Sequence, residues 1–182
     1  MEWIALSLLA LVLIWAIWIY NRLVKKRNRV HTAWSDIDVQ LTRRHDLVPN
    51  LVSIVERYTE HERSTLESVT TLRTRAIATD SPARLGKIEN ELEALLGRLL
   101  MLREDYPDLK ASDNFRQLAD RLVDVENHLQ YARRFYNGAV RDLNTLIGQF
   151  PDLLIARAFQ FQEAEFYAAD VHHRSAPQVE QA

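Results

Sequence analysis

Chemistry in a protein needs a nucleophile, an acid–base pair or a metal-ligand constellation, and each leaves a spacing in the sequence. The chain of 182 residues contains no cysteine, which removes thiol nucleophiles, Cys-ligated zinc, iron–sulfur clusters and disulfides. A di-iron site in a helical protein requires Glu-x-x-His pairs on facing helices, so that both ligands project inward. No Glu-x-x-His occurs in the chain. The nearest spacing, Asp170-Val-His-His173, has no second copy, and His172 and His173 read as exposed tail residues. His61-Glu62-Arg63-Ser64-Thr65-Leu66 opens like a zinc-protease helix, but Thr65 stands where the second histidine is required. No Gly-x-Ser-x-Gly elbow and no glycine-rich phosphate loop is present. The only glycines are Gly86, Gly97, Gly138 and Gly148. The sequence thus predicts no catalytic residue, no metal site and no cofactor.

Three weaker signals remain. His61-Glu62 faintly resembles the start of the phosphoacceptor helix of sensor kinases. Those kinases carry a separate ATP-binding domain, for which this chain has no length, and usually a proline where Leu66 stands. A solvated helix stretch with local charge pairs explains Glu60 to Arg63 as well. Arg27, Arg44 and Glu62 fall on an otherwise apolar stripe; the expectation is that they reach the surface by snorkelling, and the minority reading makes them polar partners in a groove or subunit contact. Arg133, Arg134, Tyr136 and Asn137 could line a ligand groove, though a solvated face beside a packed seam is the expected reading.

The elements that would position such residues are helices. From Phe115, steps of 3 and 4 pass through Leu118, Leu122, Val125, Leu129, Ala132, Tyr136, Ala139, Leu143, Leu146 and Phe150 without a polar exception, a heptad seam that no strand could maintain. A shorter stripe runs through Leu85, Ile88, Leu92, Leu95, Leu99 and Leu102. Ser81-Pro82 ahead of it reads as an N-cap with proline at the first helical position. Tyr106-Pro107 stops that helix, and Ser112-Asp113-Asn114 offers caps for the next. The first segment steps from Leu23 through Arg27, Val30, Trp34, Ile37, Leu41, Arg44, Val48, Leu51, Val55, Tyr58, Glu62, Thr65, Val69 and Leu72 to Ala76. Its phase survives Pro49, a residue that removes a helical hydrogen bond and clashes one turn back. Two expectations follow. Either the helix kinks, with Pro151–Asp170 supplying a short fourth helix, or the chain reverses at His45–Pro49 to give helices near 22–45, 47–78, 83–104 and 112–149. The unbroken phase and the absence of glycine favour the kink. Both give an all-α, antiparallel four-helix up-and-down bundle with short connections.

Ahead of the bundle, Trp3 to Tyr20 is an uncharged run of 18 residues with one hydroxyl, Ser7. As a helix it rises about 27 Å, near the minimum for crossing a hydrocarbon core. Trp3 at one end and Trp15, Trp18 and Tyr20 at the other suit the headgroup level. A cleaved signal peptide would need basic residues before the run and small ones after it; Glu2 precedes it and Tyr20-Asn21-Arg22-Leu23 follows. Arg22, Lys25, Lys26, Arg27 and Arg29 then orient the chain, N-terminus outside and the remainder cytoplasmic, and could hold anionic lipid as well. From Val30 onward the chain carries 18 basic and 24 acidic residues. That balance argues against a nucleic-acid-binding surface.

Together these residues resemble the LemA family of bacterial membrane proteins. The similarity rests on Tyr20-Asn-Arg-Leu-Val-Lys-Lys-Arg-Asn-Arg-Val30, Ala33-Trp-Ser-Asp-Ile-Asp-Val-Gln-Leu41, Arg43-Arg44, Asp46-Leu-Val-Pro-Asn-Leu-Val52 and His61-Glu62. It continues through Tyr106-Pro-Asp-Leu-Lys-Ala111, Asn114-Phe115, Glu126-Asn127, Arg133-Arg-Phe-Tyr-Asn137 and Phe150-Pro151, and covers about residues 20–167. Two departures stand out: Leu143-Asn144 where the family often has Tyr-Asn, and Phe159-Gln-Phe161 where it often has Phe-Gly-Phe. A glycine at the second place could serve a positive φ. The resemblance implies a single-pass membrane protein with a four-helix bundle and no established enzymatic activity.

The expected organisation is a transmembrane helix over 1–21, a bundle over 22–170 and a flexible tail over 171–182. The expected function is a non-catalytic, membrane-anchored scaffold or interaction protein in the cell (inner) membrane. Its expected partners are the bilayer, copies of itself and other membrane proteins. The rival is a ligand-sensing or catalytic bundle with a polar pocket. Self-association is inferred from apolar residues outside the stripes (Leu47, Leu66, Leu96, Leu100) and from an aromatic C-terminal segment, Leu153 to Tyr167, whose rings could instead fold back and close the bundle's end.

Overall fold

The computed structural model describes residues 2–59 and 61–167, and every regular element among them is helical. The helices are α1 (Glu2–Glu56), α2 (Arg63–Ile77), α3 (Pro82–Met101), α4 (Pro107–Ala111), α5 (Asp113–Gly148) and α6 (Asp152–Ala158), with a single 3₁₀ turn over Leu102–Glu104. The chain divides into two compact units. Among the described residues an anchor unit takes 2–38 and 131–165, and a core unit takes 39–59 and 61–130 with Phe166 and Tyr167. α1 and α5 each contribute to both.

The caps lie where the sequence places them. Ser81 accepts a hydrogen bond from the Arg84 N–H at the start of α3, with Pro82 at the first helical position. Ser112 does the same for Phe115 at the start of α5, at 3.4 Å. The α5 stripe is buried from Phe115 to Leu146, apart from a half-buried Ala132. Phe150 does not continue it: α5 stops at Gly148, and Phe150 is 73% exposed.

α1 runs unbroken through Pro49, so the chain does not reverse at His45–Pro49. Proline at 49 leaves the carbonyl of His45 without its helical donor. The Arg73 guanidinium supplies one from the neighbouring helix, Nε donating to the His45 oxygen at 2.7 Å. The same contact, residue 45 beside residue 73, shows that the chain has already turned back. It does so at Arg57–Glu62, where the sequence predicts continuous helix. There the Val55 carbonyl accepts from the Tyr58 N–H (2.9 Å), the Thr59 N–H (3.1 Å) and the Thr59 hydroxyl (3.0 Å). No glycine or proline marks the break, which is why periodicity runs straight across it.

In the core unit one apolar cluster draws Val48, Leu51 and Val55 from α1, Leu66, Val69 and Leu72 from α2, Leu92, Leu96 and Leu99 from α3, Leu109 from α4, and Phe115, Leu118, Ala119 and Leu122 from α5. Leu66 and Leu96, expected to be surplus to the bundle, are therefore core. α6 is shorter than the helix expected over Pro151–Asp170; it ends at Ala158, and the chain to Tyr167 is irregular. Its end explains one departure from the family pattern. Gln160 has φ of 54°, the Gln160 N–H bonds the Arg157 oxygen and the Phe161 N–H bonds the Ala156 oxygen. This is a Schellman cap with glutamine at the left-handed position where glycine is unstrained. The tail expected over 171–182, with His172 and His173, lies outside the described residues.

Candidate functional site

The most chemically loaded place in the core unit grows from the interrupted stripe of α1. Arg44 is fully buried and does not snorkel to the surface. Its Nη1 donates to Glu89 Oε2 at 2.8 Å, its Nη2 donates to the Glu126 carboxylate, and Glu93 Oε2 lies 3.9 Å away. His45, the next residue on α1, places Nε2 2.7 Å from the second oxygen of Glu89. A carboxylate only accepts, so the proton of that bond resides on Nε2. Glu89 has no exposed surface. Burial pushes its carboxyl up, but the hydrogen bond from His45 and the positive charge of Arg44 outweigh burial and hold it below the ordinary range.

Three helices build this knot: α1 brings Arg44 and His45, α3 brings Glu89 and Glu93, and α5 brings Glu126. α2 braces it through Arg73 on the His45 carbonyl. Glu89 reaches the interior because α3 is rotated from its expected face. The buried positions are Leu85, Gly86, Glu89, Leu92, Leu96 and Leu99, whereas Ile88 and Leu95 are only half-buried. Gly86 apart, these alternate steps of 4 and 3, as the all-apolar stripe alternates 3 and 4. Sequence reasoning passed over Glu89, Glu93, Glu126 and His45. The signal that would have found them was Arg44 itself, since a buried guanidinium requires a carboxylate partner.

What this arrangement does is neutralise charge. A carboxylate held ionised and bonded on both oxygens is a poor general acid or base near neutral pH. A groove of about 750 Å³ runs beside the α1–α2 turn, lined by Val52, Glu56, Thr59, Arg63, Leu66 and Thr70. It is open, and Arg63 is paired with Glu67 at 3.0 Å.

The other residues singled out by sequence are not brought to this knot. His61 is exposed, and Glu62 accepts a hydrogen bond from the Thr65 hydroxyl at 3.2 Å. In the anchor unit Arg27 lies over the Phe161 ring, 5.2 Å from its centroid, and Arg134 over Tyr131 at 4.7 Å. Tyr136 is buried against Trp34, with ring centroids 5.3 Å apart, and donates to the Glu165 carbonyl at 2.8 Å. Asn144 clamps Ala164 from both sides, its amide donating to the Ala164 oxygen (3.0 Å) and its oxygen accepting from the Ala164 N–H (2.9 Å). Tyr136 and Asn144 thus strap the irregular segment 159–165 onto α5. Tyr20 receives Phe159 and Phe161 at 4.8 and 5.9 Å.

With this geometry in hand, the similarities to known proteins fall in one direction. The model of the LemA family matches residues 33–180. Magnetosome protein MamQ 2 of Paramagnetospirillum magneticum is 24% identical over 174 residues, covering 81% of this chain and 64% of its own length. Magnetosome protein MamQ of Magnetospirillum gryphiswaldense is 22% identical over the same shares. Protein LemA of Metamycoplasma hominis is 26% identical over 161 residues, covering 83% of this chain and 72% of its own. The chain therefore spans under two thirds of the length of these MamQ relatives.

Proposed function

Since the chain belongs to the LemA family, we propose that it is a membrane-anchored, non-catalytic helical scaffold that associates with copies of itself and with other membrane proteins. The observation that carries this reading is α1. Its first part is long and apolar enough to cross a membrane and is almost wholly uncovered by the rest of the chain. A core helix of a soluble protein would be covered. The same helix continues without a break into the folded body, which fits an anchor better than a leader to be removed. The orientation proposed is N-terminus outside and body cytoplasmic, from the cations at 22–29.

The core unit is read as an antiparallel four-helix bundle made of α2, α3 and the parts of α1 and α5 it contains. Its interior supports a scaffold reading: Arg44, His45 and Glu89 are engaged with one another, and the cluster packed between the helices is apolar. Confinement of identical chains to one membrane plane raises their effective concentration and favours self-association. Two measurements test the proposal. Protease added to spheroplasts should leave residues 30–182 uncut, and digestion from outside would reverse the orientation. The mass of the full chain in mild detergent should exceed that of one protomer, and a monodisperse monomer would remove the self-association.

A further inference from the structure

The anchor unit leaves three large apolar side chains in the open at one end: Phe150 is 73% exposed, Leu154 53% and Phe159 60%. Their level along α1 is set by two contacts. Phe159 packs against Tyr20 with centroids 4.8 Å apart and rings tilted by 57°, and Asp152 lies 3.7 Å from the Arg22 guanidinium. α6 is thus pinned at residues 20–22, where the apolar run that begins at Trp3 ends. That run rises about 27 Å, close to the ~30 Å thickness of a hydrocarbon core, so residues 20–22 fall at the headgroup boundary. Charge at this level favours an anionic surface: residues 20–29 and 150–165 hold Arg22, Lys25, Lys26, Arg27, Arg29 and Arg157 against Asp152, Glu163 and Glu165, with Lys26 paired to Asp142 of α5 at 2.8 Å. Of these acids Asp152 is buried.

We propose that α6 and the turn after it rest in the headgroup layer of the membrane that α1 crosses. Phe150, Leu154 and Phe159 dip toward the acyl chains, and Lys25, Arg29 and Arg157 meet anionic headgroups. The inference rests on reading α1 as a membrane span. A bilayer fits better than a second copy, because two copies joined here would bring like-signed clusters together, whereas anionic lipid complements them. Exposed aromatic and aliphatic side chains at this depth gain from partial burial while the cations stay hydrated. The fold then has two membrane contacts, a span and a rim, and the rim fixes the tilt and rotation that a lone helix leaves open.

The absence of native cysteine makes single labelling sites unique. Leu154→Cys, Phe150→Cys, Leu9→Cys and Tyr131→Cys are each made in the full chain and labelled with a polarity-sensitive dye. The chains are reconstituted into phosphatidylcholine vesicles, with and without phosphatidylserine, that carry nitroxide lipids at headgroup, shallow or deep positions. Leu9 lies within the span; Tyr131 lies about 25 Å up α5 from Gly148. The dye at 154 or 150 should be quenched several-fold more by headgroup and shallow nitroxides than by deep ones, and less in neutral vesicles or high salt. The dye at 9 should answer to deep nitroxides and the dye at 131 to none. Quenching at 154 and 150 no greater than at 131, with position 9 deeply quenched, overturns the rim and leaves the span standing. Loss of deep quenching at position 9 overturns both. Dyes at 154 and 150 that are shielded from aqueous iodide as protein density rises, yet not quenched by lipid, assign the surface to a second copy and overturn the proposal.

Discussion

In the core unit a cation points inward, and in the anchor unit its counterparts point out. Arg27 and Arg44 occupy the same stripe of the same helix, yet Arg27 is exposed over the Phe161 ring and Arg44 is buried among Glu89, Glu126 and Glu93. The difference lies in what stands opposite. α3 and α5 offer Arg44 carboxylates at hydrogen-bond distance, and an ion paired on several sides tolerates burial. The turn after α6 offers Arg27 an aromatic face, which holds a cation without taking it from water. The core unit is consequently fixed by contacts that cannot be loosened one at a time. The anchor unit is fixed by straps on backbone atoms, Asn144 on Ala164 and Tyr136 on Glu165.

The largest effect should come from breaking the inward side of this contrast. Glu89→Ala leaves the Arg44 guanidinium buried without its main partner and should cost about 3–5 kcal/mol, read by denaturant unfolding of the full chain in detergent. Arg27→Ala, by the same measurement, should cost no more than about 1 kcal/mol, the scale of an exposed cation–π contact. Equal losses would erase the distinction. Acid sharpens it. The folded-state pKa of Glu89 lies below its ordinary value of 4.5, so the unfolded chain binds more protons. The stability it contributes is complete above that value and is lost as pH falls through the lower folded one. Glu89→Gln should flatten that acid limb.

Next in size is the brace on the proline. Arg73→Ala strips the His45 carbonyl of the donor that stands in for the missing Pro49 N–H, at about 1–3 kcal/mol. Pro49→Ala should return most of that loss by restoring the helical N–H, and a double-mutant cycle with no coupling would show that Arg73 acts elsewhere. On the anchor side, Asn144→Ala removes both bonds to Ala164 and should cost about 1–2 kcal/mol. Hydrogen exchange should then quicken at the Ala164 amide, with the core unit unchanged. The smallest effect is a gain. Gln160→Gly relieves a left-handed φ of 54° and should stabilise the α6 cap by about 0.5–1 kcal/mol; a loss there would mean that the glutamine side chain, not the backbone, sets the turn.

Much of the fold was legible because its signals are local. Capping by Ser81 and Ser112, proline at position 82, the uncharged run from Trp3 and the α5 seam each depend on residues within a few turns of one another. The turn at Arg57–Glu62 was not legible, because no glycine or proline marks it and Thr59 makes the same bond to the i−4 carbonyl that Thr70 and Thr74 make inside α2. Gln160 was half legible: the family pattern pointed to a positive φ, and the structure supplied the cap that needs it.

The sequence by itself determined that this chain is helical, where its apolar phases run and which stretch could enter a membrane, since all three follow from spacing along a single helix. Only the tertiary structure decided which of two equally spaced stripes on α3 faces inward. The stripe with a glutamate won because Arg44, 45 residues away in sequence, waits inside for its carboxylate. Periodicity measures a helix against itself, whereas a buried charge is settled by the helix that comes to lie beside it.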